Sequence, residues 1–358
     1  MSLSKGLSTL KAGQLRYAAF LAGLPNTGTK AQIETALQQQ LNQPWPLESK
    51  SRILSIDMGI KNLGVCVLEP QFLERHARST TRTIYISYWK SLNLLNRLHP
   101  KPAIHVPSAQ AEDLTGSKPT IDAAAFNPSN LSGTAVSLVH ELLQTYNPTH
   151  ILIERQRFRS GGMSAVQEWT LRVNMLESML WATFETLRQS SRKGHGLVGF
   201  PDTWAVDPAR VARFWCARPQ GWGSEFLEIE LARIGETKGS AKVAKSDRKR
   251  SVDKKEKIAR VRSWLLVADV TSPSAVRVVH AADRVSLELS PGACEVADIF
   301  TSTTAAGRRR TTSPEPGAKP SSDITKLDDL ADSMLQGVAW IRWADNLETM
   351  RGLLQNKT

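Results

Sequence analysis

The sequence is poor in cysteine and has no long apolar run. Only three cysteines occur among 358 residues, and no two of them form a CxxC pair. A disulfide framework and a zinc-binding cysteine pattern are therefore both excluded, and a reducing compartment is indicated. No stretch reaches the roughly 18 consecutive apolar residues that a transmembrane helix needs, so no membrane span is predicted.

Positive charge is the main excess in the composition. Lys and Arg number 46 against 34 Asp and Glu, which gives a net charge of +12 and an isoelectric point of about 9.8. Such a surplus suits a polyanionic partner, of which nucleic acid is the commonest. A basic protein without such a partner is the alternative. The length allows one large domain plus a small accessory one.

The first 44 residues are predicted to form a small helical module. Leucines at helical spacing precede a break at Pro25–Gly28, and Thr29 can cap a second helix. The two helices with the link GLPNTGTK between them resemble the SAP motif, a small DNA-binding module, which makes Lys30 a candidate DNA contact. A generic helical hairpin is the alternative. The first 33 residues contain no acid and also resemble a mitochondrial transit composition.

Residues 45–358 are predicted to form one α/β domain. The pattern predicts three strands, a helix, a strand, a helix, a strand, a helix and a closing helix, which is the order of an RNase H-like fold with a mixed sheet flanked by helices. The segment 238–262 is strongly basic and looks helical only in its last third. No persuasive periodicity occurs between 270 and 323, and we expect a disordered insertion at 301–323.

Acidic residues stand at three places that matter because of where they lie in the predicted strands and helix. Asp57 lies in the apolar strand ILSIDMG, and Glu154 ends the apolar run HILIE. Asp328, Asp329 and Asp332 lie near the start of the closing helix, where the spacing of 329 and 332 places both on one face. Each alone has an ordinary explanation, such as a turn residue or a helix-dipole partner. Together they predict a cluster that a divalent cation with hard oxygen ligands, Mg²⁺ or Mn²⁺, would stabilise.

Three blocks, ILSIDMGIKNLGVCVLE, ILIERQRFRSGG and KLDDLADSMLQG, resemble the motifs of the fungal mitochondrial Holliday-junction resolvases, which are relatives of bacterial RuvC. The resemblance implies an active site with two divalent ions held by four carboxylates. Asp57, Glu154 and Asp332 match the motifs directly. The fourth is either Asp329 or Asp328, with RuvC-like spacing favouring Asp329. The resemblance also implies hydrolysis that leaves 5′-phosphate and 3′-hydroxyl ends.

Candidate DNA contacts surround these motifs. The residues directly after Glu154 suit phosphate contacts, and an aromatic or amide side chain among them could enter an opened junction. The alternative is a solvated basic loop. The turn between the first two strands is a further candidate. So is the basic stretch 238–262, which could instead be a plain solvated linker or a localisation-like run. The candidate residues are Arg155, Gln156, Arg157, Phe158, Arg159, Lys61 and Asn62.

The resemblance implies a homodimer that cuts a four-way DNA junction with paired nicks in the mitochondrial matrix. The predicted helix 163–188 is rich in large apolar residues, and related resolvases dimerise through this helix, although ordinary core packing explains about half of those residues. Two other functions stay open. One is another RNase H-like nuclease acting on RNA–DNA hybrids or flaps, and the other is a junction-binding protein that does not cut.

Overall fold

The structure is a computed structural model in which part of the chain is described. The described residues are 3–43, 47–48, 50–71, 82–98, 126–156, 168–193, 200–217, 252–266, 268–272, 275–280, 283–302 and 327–355.

Ten helices and eight strands make up these residues. The helices are α1 (Leu3–Ser8), α2 (Ala12–Leu21), α3 (Lys30–Asn42), α4 (Leu95–Leu98), α5 (Pro128–Tyr146), α6 (Glu168–Lys193), α7 (Pro208–Cys216), α8 (Lys254–Leu265), α9 (Pro291–Ser302) and α10 (Leu327–Gln355). The strands are β1 (Ile53–Asp57), β2 (Leu63–Pro70), β3 (Thr83–Leu92), β4 (His150–Glu154), β5 (Asp202–Val206), β6 (Ala268–Ser272), β7 (Ala275–His280) and β8 (Val285–Leu289).

All eight strands belong to one mixed sheet in the order β5-β4-β1-β2-β3-β8-β7-β6. Strands β1, β2 and β3 pair antiparallel, whereas β4 pairs parallel to β1 and β5 pairs parallel to β4. The part from β5 to β3 has the strand order of an RNase H-like fold, as predicted. Because β1 and β4 are parallel neighbours, their carboxyl ends meet at the same edge of the sheet.

Each face of the sheet supports its own hydrophobic core. Successive side chains of a strand point to opposite faces, and β1 divides accordingly. Leu54 and Ile56 pack with α5 and α6 on one face, whereas Ile53 belongs to the core that α10 forms on the other. Ser55 and Asp57 share the face of Ile53, so the carboxylate of Asp57 is directed toward α10.

The sheet is larger than the sequence pattern predicted. Because the sequence lacks periodicity after residue 270, it predicted no strand or helix there, and this prediction was wrong. Strands β6 to β8 and helix α9 occupy 268–302, and β8 pairs parallel to β3. The helix expected in the last third of 238–262 is confirmed as α8. The predicted insertion at 301–323 lies outside the described residues except for its first two, which end α9.

Helices α1 to α3 pack against the closing helix. Thr29 caps α3 with its hydroxyl accepting from the amide of Gln32, as the sequence predicted. Trp343 of α10 lies against Gly23 in the link between α2 and α3, and Arg351 donates to the carbonyl of Leu41 at 3.0 Å. The helical module and the sheet therefore share one core. Among the described helices, none is both long and apolar enough to cross a membrane.

A candidate metal centre at the sheet edge

The register of the central strands brings two predicted acids together. Ile56 of β1 lies opposite Ile153 of β4 in the parallel pair, so the residues that follow them, Asp57 and Glu154, end up side by side. On its other side Asp57 pairs with Gly64 of β2. Asp57 is 6% exposed. The pairing of β1 with β2 on one side and β4 on the other thus fixes the backbone that carries this buried carboxylate.

Helix α10 supplies the remaining acids from its first two turns. Asp328 and Asp329 lie in the first turn and Asp332 follows in the second. Gly64 allows this approach, because a Cβ at that position would be 3.0 Å from the carbonyl carbon of Asp329 and 3.3 Å from the Cβ of Asp57. The amino end of a helix favours negative charge. The helix therefore both places these carboxylates and offsets part of their repulsion.

A buried amide fixes how α10 crosses the sheet. Gln336, one turn beyond Asp332, donates to the hydroxyl of Ser55 at 3.1 Å and to the carbonyls of Ile56 and Leu152 at 3.3 Å. Ser55 and Ile56 directly precede Asp57, and Leu152 lies two residues before Glu154. One side chain thus ties the helix to both strands that bear acids.

Carboxylate oxygens of Asp57, Glu154 and Asp332 all lie within 4.8 Å of one another. Burial raises the pKa of Asp57 well above its ordinary value, and the negative charges of Glu154 and Asp332 raise it further. Burial likewise raises the pKa values of Glu154 and Asp332. Carboxylates that are buried and repel each other in this way are expected where a cation belongs.

The donor set fits Mg²⁺ or Mn²⁺. Every ligand atom in the cluster is a carboxylate oxygen, and these hard ligands suit both ions. No histidine or cysteine belongs to this group among the described residues. The ligand atoms of this group therefore suit a hard divalent cation.

The electrostatics separates the two candidates for a fourth ligand. The charge of Asp329 contributes to the raised pKa values of both Asp57 and Glu154, after burial and nearer groups. Asp328 instead forms an ion pair with Lys254 of α8, and its charge raises the pKa of Asp332. These contacts favour Asp329.

Helix α8 brings two lysines to the aspartates, a feature that the sequence reading missed. Lys254 pairs with Asp328, and Lys257 pairs with Asp332. The basic stretch 238–262 was interpreted as a source of nonspecific phosphate contacts or a linker. The available signal was the capping box of Asp253 and Glu256, which begins a helix with both lysines in its first turn and a half.

The predicted DNA contacts near the acids are exposed to different degrees. Lys61 is exposed, with its ammonium 5.3 Å from the ring centroid of Trp169 at the start of α6. Asn62 is half-buried. Arg155 is exposed and lies 3.5 Å from Asp207. Gln156 is half-buried, and its backbone amide donates to the carboxylate of Glu177 at 3.2 Å. Among the described residues of this group, Lys61 and Arg155 are the cations that solvent reaches.

The other predicted contacts lie elsewhere. Arg157, Phe158 and Arg159 lie outside the described residues. Lys30 is exposed at the start of α3 and donates to the carbonyl of Ser8 at 3.1 Å. It belongs to the helical module and not to the acid cluster.

Comparison with known proteins identifies the family. A family model described as mitochondrial resolvase Ydc2 / RNA splicing MRS1 matches residues 53–350. The chain belongs to this family. The match covers the whole catalytic region from β1 to the last turns of α10.

Individual relatives agree with the family match. The mitochondrial cruciform cutting endonuclease 1 of Schizosaccharomyces pombe is 28% identical over 59% of this chain and 69% of its own length. The protein of the same name from Saccharomyces cerevisiae is 23% identical over 97% of this chain and 86% of its own length. The crystal structure of the yeast mitochondrial Holliday junction resolvase Ydc2 superposes with a TM-score of 0.53 at 20% identity, covering 97% of this chain and all of that one. This likeness supports the RNase H-like fold.

Proposed function

We propose that this chain is an endonuclease that resolves four-way DNA junctions by paired, symmetric, metal-dependent nicks in mitochondrial DNA recombination. The observation that supports this most directly is the cluster of Asp57, Glu154 and Asp332 within 4.8 Å at one edge of an RNase H-like sheet. The family match and the similarity to mitochondrial cruciform cutting endonucleases support the same function.

Within this proposal, Asp57, Glu154, Asp329 and Asp332 hold two divalent ions, Mg²⁺ or Mn²⁺, with Asp328 as the alternative to Asp329. When bound, the ions would activate a water and neutralise charge on the phosphate, and attack of that water on phosphorus with cleavage of the P–O3′ bond would leave 5′-phosphate and 3′-hydroxyl ends. The strands keep Asp57 and Glu154 at a fixed separation, and the buried Gln336 keeps α10 in place above them. The chain thus presents its ligands preorganised.

DNA is proposed to approach the cluster from the side of the exposed residues Lys61 and Arg155. Lys61 and Arg155 lie in the two segments that directly follow Asp57 and Glu154, where Asn62 and Gln156 accompany them, and Arg157, Phe158 and Arg159 continue the second segment. The helical module of residues 1–44 adds the exposed side chains of Lys11, Arg16 and Lys30. Cations of this kind bind the phosphate backbone without reading sequence.

We propose that α6 forms a homodimer interface. Its 26 residues expose Trp169 and Leu171 to 38% and 46%, and Val136 of the adjacent helix α5 is exposed to 43%. Three large apolar side chains on two packed helices favour a protein partner. In analytical ultracentrifugation, Leu171→Glu should shift the wild-type dimer toward monomer, whereas Leu266→Glu, at an apolar residue exposed to 65% at the end of α8, should not. A monomeric wild-type protein would contradict this interface.

A second candidate function is nucleic-acid binding without cutting, because the family's description includes an RNA splicing protein. A third is cleavage of RNA–DNA hybrids or flaps. The intact carboxylate cluster argues against a protein that does not cut. Without a bound metal ion, these buried and mutually repelling acids would only destabilise the fold.

The deciding experiment compares cleavage of a labelled four-way DNA junction, a linear duplex, a flap and an RNA–DNA hybrid in Mg²⁺, Mn²⁺ or EDTA. We expect paired nicks in the junction alone, and only with metal. Asp57→Asn and Glu154→Gln should abolish cleavage while junction binding persists. Asp298→Asn is the matched control, since it removes one exposed carboxylate from α9. Binding without cleavage by the wild-type protein would favour the second candidate, and preference for the hybrid or flap the third.

A further inference from the structure

Lys257 is the cation that faces the acid cluster from the side of α8. Its ammonium forms an ion pair with Asp332, and both side chains are largely shielded, with 16% and 18% of their surfaces exposed. Burial on its own would lower the pKa of Lys257, but the charges of Asp332, Glu154 and Asp57 raise it above its ordinary value. The ammonium group of Lys257 therefore interacts electrostatically with all three clustered carboxylates.

The rest of α8 fixes this position. Lys257, Arg260 and Trp264 lie on one side of the helix at spacings of three and four residues. Arg260 and the indole NH of Trp264 both donate to the buried carboxylate of Asp283, at 3.0 and 2.7 Å. Trp264 is fully buried. The helix is thus docked by groups that do not belong to the acid cluster, and Lys257 is delivered to Asp332 by this docking.

An ammonium group and a divalent cation cannot use the same carboxylate oxygen in the same way. The ammonium donates its hydrogens to the lone pairs of the carboxylate oxygen, and a metal ion coordinates the same lone pairs. The two cations also repel each other at short distance. Cation binding at Asp332 therefore competes with the ion pair to Lys257.

We propose that Lys257 is a positioning residue of the metal centre, whose ammonium holds Asp332 in the metal-free protein and must leave that carboxylate when a divalent cation binds. The proposal rests on the proposed metal centre and adds a built-in competitor to it. Lys257 keeps the carboxylates in place before metal arrives, at the expense of metal affinity. Lys254 has a lesser part, because it is 61% exposed and pairs with Asp328 instead.

The test measures Mn²⁺ binding to the full-length protein without DNA. The electron paramagnetic resonance signal of free Mn²⁺ reports how much of the ion remains unbound. Lys257→Met and Lys257→Gln should lower the dissociation constant on the order of tenfold, because each removes a close positive charge. Lys257→Arg keeps the charge and should bind Mn²⁺ like the wild type. Lys255→Met is the matched control, since it removes the same charge from an exposed neighbouring position.

The sign of the change distinguishes this role from a purely structural one. If Lys257 only stabilised the fold, its neutral variants would bind Mn²⁺ more weakly, and that result would overturn the proposal. Unchanged affinity in Lys257→Gln would overturn it as well, and so would an equal gain in Lys255→Met. A wild-type protein that bound no Mn²⁺, or bound it equally well as Asp332→Asn, would remove the metal centre itself together with this inference.

Discussion

A single added methyl group at Gly64 tests how closely α10 has to approach the sheet. The Cβ of an alanine there would lie 3.0 Å from the carbonyl carbon of Asp329, even closer to its oxygen, and 3.3 Å from the Cβ of Asp57. The obstacle is space alone, because Gly64 does not have a positive φ. The two nearest contacts are backbone atoms of Asp329, so no flexible side chain can move aside to make room.

The expected size of the effect follows from these distances. Ordinary contacts of a Cβ begin at 3.4 Å and extend to 4 Å, and the carbonyl oxygen of Asp329 is the nearest obstacle. Strand β2 and helix α10 must therefore separate by roughly 1 to 2 Å at the acid cluster. Overpacking of this kind typically costs about 1–3 kcal/mol. The displacement also moves Asp329 away from Asp57, and a misplacement of about 1 Å in an active site can lower the rate about 100-fold.

The measurements are urea unfolding of the metal-free protein and the rate of junction cleavage at fixed Mg²⁺. Gly133→Ala is the control, because a methyl group at this position of α5 meets no atom within 4 Å. Alanine in a helix should stabilise the control by about 0.5–1 kcal/mol. If Gly64→Ala has the wild-type unfolding midpoint and cleavage rate, the close approach of Asp329 to β2 is wrong.

Three further outcomes follow from the contacts. Gln336→Met should lower the free energy of unfolding by about 1–3 kcal/mol in urea because it removes buried hydrogen bonds, whereas the exposed Gln39→Met should not; equal effects would contradict the bridging role. Asp57→Asn should abolish cleavage yet raise the melting temperature of the metal-free protein near neutral pH. The pKa of Asp57 is raised in the fold, so its contribution to stability is complete below its ordinary pKa of 3.8 and is lost as pH rises; a pH-independent difference would contradict this. Junction affinity should fall steeply with salt, and Arg16→Gln or Lys30→Gln should each reduce the slope of log affinity against log salt by about one; unchanged slopes would remove the helical module from the DNA interface.

The core of the fold and the acids could be predicted because their signals are local. An apolar run that ends in a carboxylate, as in ILSID and HILIE, identifies a buried strand and an unusual acid in the same few residues. Parallel pairing of β1 and β4 then places Asp57 beside Glu154 with no further information. The choice between Asp328 and Asp329 stays a prediction that RuvC-like spacing favours for Asp329, and the ion pair of Lys254 with Asp328 could not be predicted because the two residues lie 74 positions apart.

The segment after residue 267 was missed because its partners are distant in sequence. Strand β8 pairs with β3 about 200 residues earlier, with Thr83 opposite Ser286, and such pairing leaves no periodic signal of its own. Helix α9 buries Ala293, Val296, Ala297 and Phe300. This is helical spacing, but two alanines weaken it as an apolar stripe. Lys257 was missed for a related reason, since its importance lies in Asp332, which follows 75 residues later.

Helix α10 connects cutting with DNA binding in the proposed function. It spans 29 residues, or about 43 Å. Its amino end presents Asp329 and Asp332, Gln336 fixes it to β1 and β4, and Trp343 and Arg351 hold the amino-terminal helices. The 19 residues from Asp332 to Arg351 correspond to about 28 Å, which is the length of about eight base pairs of duplex DNA. In the proposed function, phosphate contacts made by the amino-terminal helices are therefore expected on a junction arm and not at the scissile bond. We expect these helices to strengthen binding to any duplex arm, whereas the choice of the junction would depend on the residues around the acids and on how the proposed dimer arranges its two active sites.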